Sequence, residues 1–430
     1  MTSPAKDNGR IAKTLVAHFT RRDLMLYALG IGCSSGSYDE KDNNDRELRF
    51  VYEHHPAFEA FPTFLLALSF VAEQLPDGIQ STSQLGFGIR PFPPASMANY
   101  LDDGSRCGLL PKEFFKNQGD IKEVQDLPIL HISQSLILHD EIKLSEQTGQ
   151  NEMIDPPTLI LLETRILSVK PRNIGTFVTS ETTYHQDGSC IATAQMVALI
   201  LGLDPDKVEP TNDTSKSQEK SRRALSNNQQ SNSSRNINKP AQSSPSRAST
   251  RGGNKTVEKY KFKGKSVIQY RIPKNAALLY RLSGDYNQIH VESDLLGSHD
   301  ESGKILKTGP VLHGLCTMGY ALRAVLHHVN HHNFNKNHQC ENREVRLVSV
   351  KCNFVKPVFV GDALRVEVWD DGDCTNQGKT VYFRVYRDLY CVGDGEKEID
   401  HEKQSTVVVD KGKAKFCFKS RKVVGAVSRL

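Results

Sequence analysis

No window of this 430-residue chain approaches the ~18 consecutive apolar residues that a membrane-spanning helix requires. The best runs, Phe61–Val71 and Met196–Leu203, are too short, and no membrane span is expected. The first twenty residues scatter Lys6, Asp7, Arg10 and Lys13 without an unbroken apolar core, so no secretory signal is expected either. Cysteine is sparse and unpatterned. Nine residues, an odd number with no CxxC pair, argue against a disulfide framework and for reduced thiols in an intracellular setting. Hydrophobic residues make up 38% of the chain, enough for real cores. The mean hydropathy of −0.47 leaves part of the chain outside them.

The net charge of +5 is mildly basic, but it is not spread over the molecule. Residues 210–256 hold nine basic side chains against Asp213 and Glu219, a surplus larger than that of the whole chain. The remainder is therefore slightly acidic, and the basic excess belongs to one segment. That segment contains the run SNNQQSNSSRNINKPAQSSPSRASTRGGN, nearly devoid of apolar residues. It cannot offset an ordering cost of roughly 1–2 kcal/mol per residue, so it reads as a disordered tether. It has no interleaved aromatics to stack on bases, and no nucleic-acid partner is expected.

The tether leaves about 205 residues before it and about 170 after it, both ordinary domain sizes. The two parts share a weak repeat. Leu26-Tyr27-Ala28-Leu29-Gly30-Ile31-Gly32 overlays Leu279-Tyr280-Arg281-Leu282-Ser283-Gly284-Asp285. A proline-introduced apolar helix follows in each, at Phe61-Pro62-Thr63-Phe64 and at Gly309-Pro310-Val311-Leu312. Then come β-branched and aromatic runs: Leu159–Val169 and Thr176–Leu201, against Val345–Val360, Ala363–Trp369 and Thr380–Tyr390. Helix, long helix, then strands, twice over, predicts α+β units with antiparallel sheets. The difference between the copies is chemical: Asp285 falls opposite Gly32 and His290 opposite Ser37. One half carries ionisable groups where the other has none.

In the second half, Leu312, Leu315, Gly319, Leu322, Leu326 and Val329 recur at helical spacing and predict a buried stripe. Gly314 falls in the first turn, where backbone N–H groups are unpaired and a ligand can come close. The densest stretch is Tyr280-Arg-Leu-Ser-Gly-Asp-Tyr-Asn-Gln-Ile-His290. A short helix over 275–283 stops at Gly284, and Asp285, Asn287 and His290 follow within six residues. A carboxyl, an amide and an imidazole so placed can hold a water and move protons in opposite directions.

Tyr-Arg-Leu-Ser-Gly-Asp-x-Asn-x-x-His followed by Val-Leu-His-Gly-Leu-Cys-Thr resembles the signature of the peroxisomal 2-enoyl-CoA hydratase type 2, the MaoC-like hydratase unit of multifunctional enzyme type 2. Leu48-Arg-Phe-Val-Tyr-Glu53, Phe61-Pro-Thr-Phe64, Leu130-His131 and Asn353-Phe-Val-Lys-Pro-Val-Phe-Val-Gly-Asp362 extend the resemblance across both halves. It implies an α+β double hot-dog fold, two units that each wrap a long helix in an antiparallel sheet, joined by a disordered linker. The organisation that follows is a flexible N-terminus over 1–20, an N-terminal unit over 21–205 for acyl-chain accommodation, the linker over 206–257, a catalytic unit over 258–427, and a terminal tripeptide over 428–430.

The resemblance further implies reversible hydration of trans-2-enoyl-CoA to (3R)-3-hydroxyacyl-CoA, without metal or redox cofactor. Asp285 and His290 would be the acid–base pair with Asn287 beside them, the two roles left open between them. Gly314, His131, Arg172 and Phe354 would contact the acyl-CoA thioester, Gly314 through its N–H at the carbonyl oxygen, worth ~3 kcal/mol of barrier. Gln288 stands where the family usually has proline, and Ile132 where a glycine commonly follows the His131 position. An acyl-CoA thioesterase and a non-catalytic acyl-CoA-binding protein are the rival readings, and a homodimer is left open as an assembly.

Two further signals need placing. His327-His-Val-Asn-His-His332 sets histidines four apart on one helix face but lacks an accompanying carboxylate motif. It reads as a solvated helix terminus. Ser428-Arg429-Leu430 has the small–basic–leucine form of a peroxisomal address, which implies an import receptor as partner and a peroxisomal location. No Rossmann fingerprint occurs, so the expectation is a stand-alone hydratase rather than one fused to a dehydrogenase.

Overall fold

The computed structural model describes residues 12–34, 47–73, 129–146, 155–201, 264–292, 310–336, 343–370, 378–388 and 405–420. The linker expected over 206–257 and the tripeptide 428–430 lie outside them.

The first part runs β1 (Ala12–Phe19), α1 (Arg21–Gly30), α2 (Leu48–Val51), α3 (Phe64–Val71), then β2 (Ile129–Leu138), β3 (Thr158–Arg172), β4 (Gly175–Gln186) and β5 (Ser189–Leu201). The second runs β6 (Gly264–Arg271), α4 (Ala276–Tyr280), α5 (Gly314–Lys336), then β7 (Arg343–Phe354), β8 (Ala363–Asp370), β9 (Lys379–Asp388) and β10 (Ser405–Ser420). All ten strands join one antiparallel sheet in the order β1-β3-β4-β5-β2-β7-β10-β9-β8-β6. Read outward from the β2–β7 seam, the two arms repeat the same order strand for strand. The seam pairs Ser133–Ile137 with Ser349–Asn353. The fold is a double hot-dog, and the weak sequence repeat marks a true structural duplication.

Alternation builds the arms. In β8 and β9 every second residue is buried, and Leu364, Val366, Val368, Val381, Phe383 and Val385 form the inner face. Helix α5 lies against that face. It is buried on almost every side rather than along one stripe, with His327 exposed and Arg323 half-buried among its described side chains. The sheet covers one side, and the first half's core reaches it through contacts such as the Cys316 thiol on the carbonyl oxygen of Gly30.

Four expectations need correction. Each half opens with a strand, not a helix: residues 12–19, assigned to a flexible N-terminus, pair with β3 and bury Leu15, Ala17 and Phe19 on one face. The run 176–201 is two strands, because Asp187 and Gly188 both take positive φ (50° and 76°) and turn a hairpin. The first half's helix is short, eight residues against twenty-three in α5, since Ala72 is extended and Glu73 bridges to Val16. Finally, His328 is not solvated. It is wholly buried, with Nε2 2.8 Å from Asp370 Oδ2 and Nδ1 2.7 Å from the Ser266 hydroxyl, and Lys379 Nζ lies 2.8 Å from the same carboxylate oxygen.

Candidate active site

Helix α4 tightens into a 3-10 turn over Arg281–Ser283 and stops at Gly284, whose φ is 122°. A side chain there would be strained, and its Cβ would lie 2.5 Å from Val71 Cγ1 at the end of α3. The glycine lets the chain turn directly against the first half. Asp285 follows. Asn287 caps the next 3-10 turn, Gln288–His290, by accepting a hydrogen bond from the Ile289 N–H at 3.2 Å. That turn swings the His290 ring inward. The chain returns at Val311, whose N–H donates to the Ile289 carbonyl oxygen (3.3 Å), and α5 starts at Gly314.

Asp285 Oδ2 and His290 Nε2 come to 3.8 Å apart. His290 Nδ1 donates to the Val311 carbonyl oxygen at 2.7 Å. A carbonyl can only accept, so the proton sits on Nδ1 and the Nε2 lone pair is turned toward Asp285. Burial holds His290 neutral, with its pKa lowered to about 4. Burial acts in the opposite sense on Asp285, raising its pKa to about 7. The Asn287 N–H bond and the Arg281 charge oppose that rise without cancelling it. Near neutrality the pair is an acid still holding its proton beside a base free of one.

Asp285, Asn287, His290 and Gly314 line one cavity of about 550 Å³. Its other walls are mostly apolar and come from both halves, including Phe70, Leu130, Ile132 and Met196 from the first and Val355 and Phe359 from the second. His131 and Phe354 also line it, their rings 4.7 Å apart across the seam. A Cβ on Gly314 would sit at ordinary contact distance, 3.5 Å, from the Phe354 ring. Packing alone therefore does not demand glycine there. What the glycine provides is backbone reachable from the cavity, at a helix start whose first N–H groups have no partner four residues back.

Six of the seven residues singled out from sequence thus share one cavity. Arg172 does not. It lies at the exposed end of β3, paired with Gly175 beside the β3–β4 turn, and its Nη1 donates to the Pro171 carbonyl oxygen. The hairpin turns it away from the cavity.

Sequence reasoning passed over His313. Its ring stacks on His290 with centroids 3.5 Å apart and planes 26° apart, and its Nε2 donates to the Asp285 carbonyl oxygen at 3.1 Å. It thus braces both members of the pair. Its Nδ1 is buried without a hydrogen-bond partner, and burial beside His290 holds its pKa well below the usual histidine value. The signal lay in the quoted Val-Leu-His-Gly run, where the histidine immediately precedes the helix start. The ligand-capable atoms of Asp285, His290 and His313 lie within 4.8 Å of one another. Nearly parallel stacked rings do not aim their lone pairs at a common point, so this trio suits proton transfer better than cation binding.

Comparison with known proteins gives two family matches: residues 253–389 match the MaoC like domain, and residues 18–85 match the MFE-2 hydratase 2 N-terminal domain. The chain is 24% identical over 396 residues to the peroxisomal multifunctional enzyme type 2 of Drosophila melanogaster, covering 89% of this chain and 48% of that one. It is 34% identical over 108 residues to the peroxisomal enoyl-CoA hydratase 2 of Arabidopsis thaliana, covering 25% and 29%. The chain therefore spans about half the length of the Drosophila relative, or less of other relatives it matches. Among solved structures, a MaoC-like dehydratase from Phytophthora capsici superposes with a TM-score of 0.53 at 20% identity, over 96% of each chain, which supports the fold.

Proposed function

Starting from a chain that joins an MFE-2 hydratase 2 N-terminal domain to a MaoC-like domain, we propose that it hydrates trans-2-enoyl-CoA reversibly to (3R)-3-hydroxyacyl-CoA in peroxisomal fatty-acid β-oxidation. The observation that carries this reading is the pairing of a proton-bearing Asp285 with a lone-pair-bearing His290 Nε2, 3.8 Å apart, on the wall of a mostly apolar cavity beside the start of α5.

The thioester carbonyl oxygen is placed at the Gly314 N–H, which draws electron density from the double bond and makes Cβ electrophilic. One such donor is worth about 3 kcal/mol of barrier. A water held by Asn287 and the pair attacks Cβ and gives its proton to His290 Nε2. Asp285 delivers its own proton to Cα on the same face, so addition is syn. The reaction leaves Asp285 charged and His290 protonated, and a proton crossing between them resets the pair. Each proton transfer contributes roughly 10²–10⁴-fold. This assigns the base to His290 and the acid to Asp285, the choice that sequence left open. The apolar walls from the first half take the acyl chain.

The test is loss of the conjugated enoyl absorbance of a medium-chain trans-2-enoyl-CoA, with chiral analysis of the product, in wild type, Asp285→Asn and His290→Gln. Turnover to the (3R) product by wild type and its loss in both folded variants is the expected result. Unaffected turnover in either variant rejects that residue's role, and release of a free thiol would assign a thioesterase instead. The peroxisomal location rests on Ser428-Arg429-Leu430 and on the names of the relatives. A fluorescent fusion that stays in peroxisomes after removal of the tripeptide would reject it as the address read by the import receptor.

A further inference from the structure

Directly behind the reaction cavity lies a second one of about 30 Å³, and the two share Phe70, His131, Met196 and Leu315. It sits inside the first half, between α3 and the inner face of the sheet. That inner face is unusual. Along β4 the buried positions include Thr176, Val178, Ser180, Thr182 and Tyr184, whereas the matching strand of the second half, β9, buries Lys379 at its start and then Val381, Phe383 and Val385. On β3 and β4, Thr164 pairs across the strands with Thr182; at the equivalent place on β8 and β9, Val366 pairs with Val385. The polar part of the small cavity's wall includes Thr164, Ser180, Thr182 and Tyr184 together with Ser69 and Gln134, and Leu66 and Ala194 are among its apolar part.

The hydroxyls bond in pairs. Thr164 Oγ1 and Thr182 Oγ1 are 2.9 Å apart, and Ser69 Oγ is 3.0 Å from Tyr184 Oη. Two threonine hydroxyls own two O–H donors and use one on their mutual bond, so the Thr164–Thr182 pair keeps a donor and lone pairs for a third group. Leaving such groups buried and unused costs roughly 1–3 kcal/mol each, and the second half avoids that cost with valine and phenylalanine. The volume admits roughly two non-hydrogen atoms the size of a water. It is too small for a length of hydrocarbon tail, and it shares Phe70 and Met196 with the apolar wall of the reaction cavity.

We propose that this chamber recognises a hydroxyl group on the far end of the acyl chain, so that the preferred substrates are enoyl-CoA thioesters with an oxygenated tail. The proposal rests on the hydratase reading and narrows its substrate class. A chain of matching length threads past Phe70 and Met196 and places its terminal O–H between the Thr164–Thr182 and Ser69–Tyr184 pairs. A methyl end of the same length would leave the spare donor of the Thr164–Thr182 pair unused.

The test compares kcat/KM for pairs of trans-2-enoyl-CoA substrates, each hydrocarbon chain against its ω-hydroxy analogue, over a series of chain lengths. At one length the hydroxylated member is expected to be favoured by about tenfold or more, since a buried site built to bond an O–H discriminates against its absence. Thr182→Val, close in shape but without the hydroxyl, is expected to bring that ratio to near one, and Thr182→Ser to restore it. If Thr182→Val does not fold, Tyr184→Phe probes the same chamber through the other pair. Equal kcat/KM for both members at every length, with hydration intact, overturns this proposal alone. Absence of hydration from every substrate overturns the hydratase reading with it.

Discussion

The two halves share a strand order and even a contact, yet they put different chemistry at equivalent points. Helix α3 starts at Phe64 after Thr63, and α5 starts at Gly314 after His313. The tyrosines matched by the sequence repeat meet these pre-helix residues: Tyr27 donates to the Thr63 hydroxyl at 2.8 Å, and the Tyr280 ring packs 4.8 Å from that of His313. The two tyrosines also pack on each other, centroids 5.7 Å apart. In the first half the helix start is closed by the Phe64 ring, packed on Phe19 and Tyr27. In the second it opens onto the cavity through a glycine. Catalysis at one such site therefore needs more than the fold. It needs a bare helix start and an ionisable pair, and the half that lost or never gained them was free to shape the tail end of the cavity.

The most severe way to break the contrast is to write the first half's residues into the second. Asp285→Gly with His290→Ser, the residues aligned at Gly32 and Ser37, removes both proton carriers. Steady-state hydration is expected to fall by roughly 10⁴-fold or more. Binding of a saturated acyl-CoA, which cannot react, should persist, because the apolar walls and Gly314 are untouched. Loss of binding equal to the loss of turnover would mean that the pair acts on affinity and not on chemistry.

How much of this contrast was legible beforehand depended on periodicity and on local motif. The helix over 275–283, the start of α5 and the strands with strict alternation were readable because side chains repeat at 3.6 or 2 residues whatever they pack against. The strand β2 was not, because His131 and Gln134 face cavities instead of a core and so break the apolar pattern. The strand β10 was hidden by its irregular register around Lys411 and Gly412, and β1 by its place at the start of the chain. Asp285, Asn287 and His290 were found because they are adjacent in sequence. His313 was missed because its partners lie 28 and 23 residues away, and only folding brings the rings together. The acid and base roles were not readable because they follow from which nitrogen meets the Val311 carbonyl.

A gentler exchange sharpens the comparison. His313→Thr, after Thr63, removes the ring stacked on His290 and the N–H held by the Asp285 carbonyl. His313 is here a positioning residue, so kcat should fall by about tenfold with KM nearly unchanged. His313→Gln, which can still donate to that carbonyl, should recover part of the loss. A rise in KM alongside the fall in kcat, or no recovery, would point to a merely structural role. The pH dependence of kcat/KM for hydration follows from the same pair. Asp285 must hold its proton and His290 must lack one, so activity should decline above about 7 and below about 4. Asp285→Asn should abolish the upper limb of whatever activity remains.

The smallest expected effect is on stability, and there the active half should gain by becoming more like its inert twin. The Asp285 pKa is raised from 3.8 to about 7 by burial, so the folded state holds that proton more tightly than the unfolded chain does. For such a group the native state is at no disadvantage below the unfolded value. It loses stability as pH rises through the window from about 4 to about 7, and above that it carries the full cost of a buried charge. Asparagine has the same shape and no charge to bury. Asp285→Asn should therefore raise Tm, and by more at about pH 8, where the wild-type carboxylate is ionised, than at about pH 5, where the folded protein keeps it neutral. Thermal unfolding of both proteins at the two pH values measures the difference. A gain that is equal at both would mean that the carboxyl is not desolvated, and the proton-holding acid assigned to Asp285 would lose its physical basis.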